Sequence, residues 1–263
     1  METNELYITI PDGKIYVKKW TPATVTEETP IILLHDSLGS VDLWRNFPKE
    51  LSENLSQPVI AYDRLGFGKS DSREKLPSIE FIHEEASKYF PIIKEKLNIQ
   101  EYILFGHSVG GAMSICIAAL DRYCKGVITV AAQAFVEDKT IDGIKNAKEF
   151  FESSGQLQKL EKWHGEKALW VLRAWTDIWL SSEFSSWSLQ NCIQHVKCPV
   201  LAIHGEDDEY GSIAFPEFIA KNTGGVGQLS IIKNCKHMPH KEQSEKVINL
   251  TKHFIQKHIL SSK

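Results

Sequence analysis

The sequence predicts an α/β chain, with a mostly parallel sheet and helices on both of its faces. Three observations carry that expectation. Between Pro30 and Ala131, solid apolar runs alternate with stretches of helical periodicity, the pattern of repeated strand–helix–strand units. Within that region Tyr102-Ile103-Leu104-Phe105 passes through Gly106-His107-Ser108-Val109-Gly110 into the small, apolar stretch from Ala112 to Leu120, so a buried strand turns into a buried helix within a few residues. And 263 residues, of which 42% are hydrophobic, suffice to bury a sizeable core.

Taken in order, Leu6 to Ile10 and Lys14 to Trp20 alternate apolar and polar around the turn Pro11-Asp12-Gly13, and predict a hairpin. Thr21 to Thr29 is a polar surface connection. Pro30 to His35 is an apolar run of the kind buried on both faces of a sheet. The small-residue loop Asp36-Ser37-Leu38-Gly39-Ser40 leads to a helical stretch from Asp42 to Leu55. Pro58 to Asp63 is the next strand, and Ile79 to Leu97 the next helix, kinked or broken at Pro91. After the Tyr102 strand and the Ala112 helix, Gly126 to Ala131 is again a strand.

From Gln133 to about His195 the spacing becomes helical throughout, over Ile141–Lys148, Gly165–Leu180 and Ser185–Ile193. Five of the seven tryptophans fall there, and most are expected to pack between helices; Trp175 and Trp179, one turn apart, are candidates for lining a cavity. Cys198–His204 and Gln228–Ile232 resume the sheet around an Ile213–Asn222 helix, and Glu242–Ile259 closes the chain as an amphipathic helix. The predicted organisation is a core domain of residues 1–132 and 196–263, with a helical cap of residues 133–195 inserted between strands.

The chemistry concentrates at G-x-S-x-G. A strand that turns directly into a helix forces its middle residue into a strained conformation, and glycines on either side give the backbone room. The Ser108 hydroxyl is thereby exposed at the carboxyl end of the strand, above a helix N-terminus that favours developing negative charge. A serine hydroxyl needs a base, for which histidine suits neutral pH, and a carboxylate to hold that base. Asp207 and Asp208 follow the strand ending at His204. His237 and His240 follow the strand ending near Ile232. Carboxyl ends of parallel strands face one crevice, so all four are candidates. The Val109 backbone N–H is expected to contribute to an oxyanion hole, with a second donor from the loop after the Pro30–His35 strand.

Other functions find little support. A net charge of −4 leaves no basic footprint for nucleic acid or an anionic membrane. No signal peptide or spanning run is evident, and five cysteines without a C-x-x-C pair read as reduced thiols, so a cytoplasmic protein is expected. Gly224-Gly225-Val226-Gly227 lacks the third glycine of a dinucleotide fingerprint and precedes a strand. No H-E-x-x-H or Cys/His ligand spacing points to a metal, and no cofactor is expected.

Leu34-His35 with its glycine-containing loop, Asp63-x-x-Gly66-x-Gly68-x-Ser70, the Ser108 elbow, His204-Gly205-x-x-Asp208 and His237-Met238-Pro239-His240 together resemble the α/β-hydrolase superfamily, from about Leu6 to the final helix. The resemblance implies the α/β-hydrolase fold with a small cap, Ser108 as nucleophile, Asp208 as acid and His237 as base. It places the second oxyanion donor at Ser37, although Asp36 stands where the family usually has glycine. The cap is similar to those of short-cap bacterial carboxylesterases and enol-lactone hydrolases. The activity implied is cleavage of carboxylic esters of small to medium acyl chain through an acyl-enzyme. The alternatives are a carbon–carbon bond or enol-lactone hydrolase using the same three residues, and a non-catalytic binding scaffold. Arg173 beside the pocket would favour an acidic substrate. The expected partner is a small ester or related carbonyl compound, with neither nucleic acid nor membrane, for a monomer or homodimer.

Overall fold

A computed structural model describes residues 1–153 and 155–260. Its eight-stranded sheet has the order β1-β2-β4-β3-β5-β6-β7-β8. The hairpin β1 (Glu2–Ile10) and β2 (Gly13–Thr21) is antiparallel, as is the pairing of β2 with β4. Every other pairing is parallel, through β3 (Ile31–Leu34), β4 (Val59–Tyr62), β5 (Tyr102–His107), β6 (Cys124–Val130), β7 (Val200–Gly205) and β8 (Gly227–Ile232). The apolar runs read as doubly buried strands are doubly buried. Ile32, Leu34 and Leu104 face one core cluster, and Ile31, Leu33, Ile103 and Phe105 the other.

Between β3 and β5 the chain forms α1 (Phe47–Leu55), α2 (Phe81–Glu84) and α3 (Phe90–Lys96). The helix expected from Asp42 is split. Val41–Trp44 is a single 3-10 turn, and Arg45 at φ 56° breaks it before α1. The stretch Ile79–Leu97 bends as Pro91 requires. That proline lacks an N–H and would press on the carbonyl of Ser87 in a regular helix, so Glu85–Tyr89 widens into a π-turn in which Phe90 N–H donates to Glu85 O. Helix α4 (Val109–Leu120) follows the elbow and is buried almost all round, as its apolar composition demands.

Between β6 and β7 lie α5 (Asp138–Glu152), α6 (Gln158–His164), α7 (Ala168–Trp179) and α8 (Gln190–Ile193). The helix predicted over Ser185–Ile193 is therefore corrected to its last turn. Trp187 and Ser188 instead meet Ala134–Val136: Phe135 and Ser188 form an antiparallel bridge, and Leu189 N–H donates to Ala134 O. Backbone groups that bond across to a neighbouring segment cannot also form helix. Helix α6 was not anticipated. The chain closes through α9 (Ala214–Asn222), α10 (Pro239–Glu242) and α11 (Ser244–His258); α11 is the closing helix expected over Glu242–Ile259, and the short α10, started by Pro239, was not anticipated. No helix among the described residues is long and apolar enough to cross a membrane.

Candidate active site

Ser108 stands between β5 and α4 with φ 55° and ψ −126°, outside the comfortable regions for a residue with a side chain. Two contacts impose this. Ser108 N–H donates to Val130 O on the neighbouring strand (2.9 Å), and the elbow is closed so tightly that a Cβ on Gly106 would lie 2.2 Å from Gly110 O. The outcome is a hydroxyl held over the carboxyl ends of the strands, with Val109 as the first helical residue, whose N–H has no acceptor within its own helix.

His237 lies on the loop after β8, and its Nε2 is 3.0 Å from Ser108 Oγ. Its Nδ1 is 2.9 Å from both carboxylate oxygens of Asp208, on the loop after β7. A carboxylate only accepts, so Nδ1 carries the proton and Nε2 accepts from the Ser108 hydroxyl. Asp208 is almost fully buried and also accepts from Tyr210 N–H (2.8 Å), while His204 Nε2 lies 3.4 Å away. Burial alone would raise its carboxyl, but the charge and hydrogen bond of His237, with His204, hold it below the usual range. Burial pulls His237 down and Asp208 more than restores it, so the imidazole is more basic than usual. Both partners shift in the sense of a pair that stabilises an imidazolium.

The rival candidates are placed elsewhere. Asp207 is exposed, its backbone N–H spent on Cys235 O. His240 is buried among Trp44, Phe47 and His107. His35 accepts Arg64 N–H at Nε2 and donates to Asp36 O through Nδ1, a structural role. Arg173 lies on the outside of α7, paired with Asp177 at 2.9 Å.

Over Ser108 sits a cavity of ≈ 80 Å³, whose lining includes Ser37, Leu38, Ile144, Trp175 and Met238. Ser37 thus lines the same cavity as Ser108. Trp175 lines this cavity with its ring edge-on to Tyr210. Trp179 does not. It is 1% exposed, packed on Phe184 and Trp187, and borders only a smaller cavity behind Ser37 and Trp175. One turn along α7 turns the ring inward to an aromatic cluster and away from Ser108.

Gln133 was not anticipated. Its Nε2 lies 3.1 Å from Ser108 Oγ, and because the serine proton is directed to His237, the amide donates to the hydroxyl oxygen. Only its position, just past the carboxyl end of β6, signalled it. Among the described residues no three His, Cys, Asp or Glu side chains gather as metal ligands would.

Comparison with known proteins places these features in context. A family model for the alpha/beta hydrolase fold matches residues 29–244. The human serine hydrolase BPHL is 26% identical over 86% of this chain and 79% of its own. The chain is similar in structure to the proline iminopeptidase of Mycobacterium smegmatis (TM-score 0.74, 18% identity, 99% of this chain and 100% of that one). It is similar also to carboxylesterase CesB of Bacillus subtilis (TM-score 0.70, 18% identity, 97% and 92%).

Proposed function

Since the chain belongs to the alpha/beta hydrolase family, we propose that it is a serine hydrolase that cleaves carboxylic esters of small acyl groups through an acyl-enzyme. The observation that carries this reading is the continuous hydrogen-bonded chain from Ser108 Oγ through His237 to Asp208, with 3.0 and 2.9 Å contacts. A scaffold that only binds has no use for such an arrangement.

In the first half-reaction His237 Nε2 takes the Ser108 proton as the oxygen attacks the ester carbonyl. Negative charge develops on the carbonyl oxygen, and the N–H groups of Val109 and Ser37 receive it. His237 then gives its proton to the departing alkoxide. In the second half water takes the place of the alcohol: His237 removes its proton, the hydroxide attacks the acyl carbon, and the proton returns to Ser108 Oγ as the acid leaves. Asp208 keeps His237 in the tautomer that both halves need.

An ester fits better than an acidic substrate, because the cavity lining holds no cation and Arg173 is engaged outside the cap. The cavity's small volume favours short acyl groups. Among p-nitrophenyl esters, acetate and butyrate should be cleaved at least about tenfold faster than octanoate, and Ser108→Ala should lose nearly all turnover. Equal turnover by Ser108→Ala defeats the reading; preference for octanoate defeats only the chain-length part.

A further inference from the structure

His107, buried at the elbow, and Asp36, half-buried on the lining of the cavity, form a second pair that the reaction itself does not use. His107 Nδ1 lies 3.2 Å from Asp36 Oδ2, and His107 Nε2 lies 2.8 Å from the backbone carbonyl of His237. His107 is 2% exposed, and the Asp36 side chain 16%. Room for the carboxylate is built in: a Cβ on Gly39 would sit 2.3 Å from Asp36 Oδ1.

A carboxylate oxygen and a peptide carbonyl oxygen only accept hydrogen bonds. Each of the two contacts of His107 therefore needs its own proton, since a bare nitrogen lone pair facing either oxygen would be repelled. We propose that Asp36 and His107 retain a shared proton at neutral pH and act together as a positioning pair, with His107 Nε2–H holding the His237 carbonyl so that the imidazole stays aimed at Ser108. The base loop is then gripped at both ends of one residue, because His237 N–H donates to Glu209 Oε2 at 3.2 Å. The neighbouring N–H groups of Lys236 and Met238 are both held by the Glu242 carboxylate.

Around the pair stand His35, the rings of His237 and His240, and Lys241, with the Arg64 guanidinium donating to the Asp36 carbonyl (2.8 Å) and with His164 and Tyr210 within electrostatic reach of Asp36. Burial would raise the Asp36 carboxyl, but the contact with His107 and the charge of Lys241 hold it well below the ordinary range. Burial holds His107 below the ordinary imidazole range, and Asp36 offsets only part of that. Geometry decides in favour of a retained proton, because two acceptors flank one ring. This also accounts for an aspartate where the resembling family has glycine: the carboxylate serves His107.

The kinetic part of this proposal rests on the ester-hydrolase reading, and the proton count does not. Nitrogen-15 histidine spectra of the wild-type protein, assigned with His107→Phe, should show two N–H protons on His107 at pH 7. Asp36→Asn should show one, its amide donating to a neutral Nδ1. With p-nitrophenyl acetate, His107→Phe and Asp36→Ala should lower kcat on the order of ten- to a hundredfold with KM within about twofold. Asp36→Asn should recover at least half of the kcat lost in Asp36→Ala. A single N–H on wild-type His107, an unchanged kcat in His107→Phe, or no recovery in Asp36→Asn would each overturn the proposal. Failure of Ser108→Ala to lose turnover would instead count against the ester-hydrolase reading and leave the proton count standing.

Discussion

Residue by residue, the site is an exercise in assigning protons. Ser108 Oγ has two neighbours to satisfy: it donates to His237 Nε2 and accepts from Gln133 Nε2. Gln133 brings no charge to the site, whereas Asp208 is a buried carboxylate held by His237, His204 and Tyr210 N–H. This asymmetry has a pH consequence. The base must be neutral to act, and Asp208 stabilises the imidazolium, so activity should fall as pH drops through a His237 value above the ordinary 6.5. Asp208→Asn removes that stabilisation. Its acid limb should move to lower pH, and kcat should fall by roughly 10⁴-fold as the wrong tautomer is populated. A pH–rate profile of kcat/KM for both proteins checks this; an acid limb that stays in place would show that Asp208 is not what raises His237.

Among elements, the loops after β3 and β4 are held to the inserted helices by few contacts, most of them part-buried. His164 on α6 accepts Gly68 N–H at Nδ1 (3.0 Å) and donates to Leu38 O through Nε2 (3.0 Å), tying both loops to one imidazole. Lys167, just before α7, donates to the carbonyls of Phe67, Gly68 and Ser70. Trp170 lies so close on Gly66, whose φ is 92°, that any Cβ there would meet the ring at 2.4 Å. Hydrogen bonds from a charged donor are stronger than neutral ones, though less so when part-buried like those of Lys167. Lys167→Met should therefore loosen the helices over the cavity, raising KM for p-nitrophenyl butyrate about tenfold and speeding tryptic cleavage between α5 and α7. Unchanged KM and cleavage would mean that the packing of Trp170 and His164 holds the helices unaided.

The whole molecule gathers loops from the carboxyl ends of β3, β5, β6, β7 and β8 into one crevice, as open parallel sheets do. That much was legible in the sequence, because strands buried on both faces appear as unbroken apolar runs, and Ser108 and Asp208 each follow such a run by a few residues, while His237 follows the half-exposed edge strand β8. The inserted helices were less legible. Trp175 and Trp179 have the same spacing signal, yet which ring faces the cavity depends on Phe184 and Trp187, whose positions follow from a bridge between Phe135 and Ser188 that no local pattern encodes. The Asp36–His107 contact was hidden for the same reason, since it joins the loop after β3 to the end of β5, 71 residues apart in sequence. The account as a whole turns on one nucleophile, and mass spectrometry of the folded protein after exposure to a fluorophosphonate probe tests it most directly. One adduct is predicted, on the peptide containing Ser108 and absent from Ser108→Ala. A protein that stays unlabelled, or that is labelled equally in both forms, would contradict it.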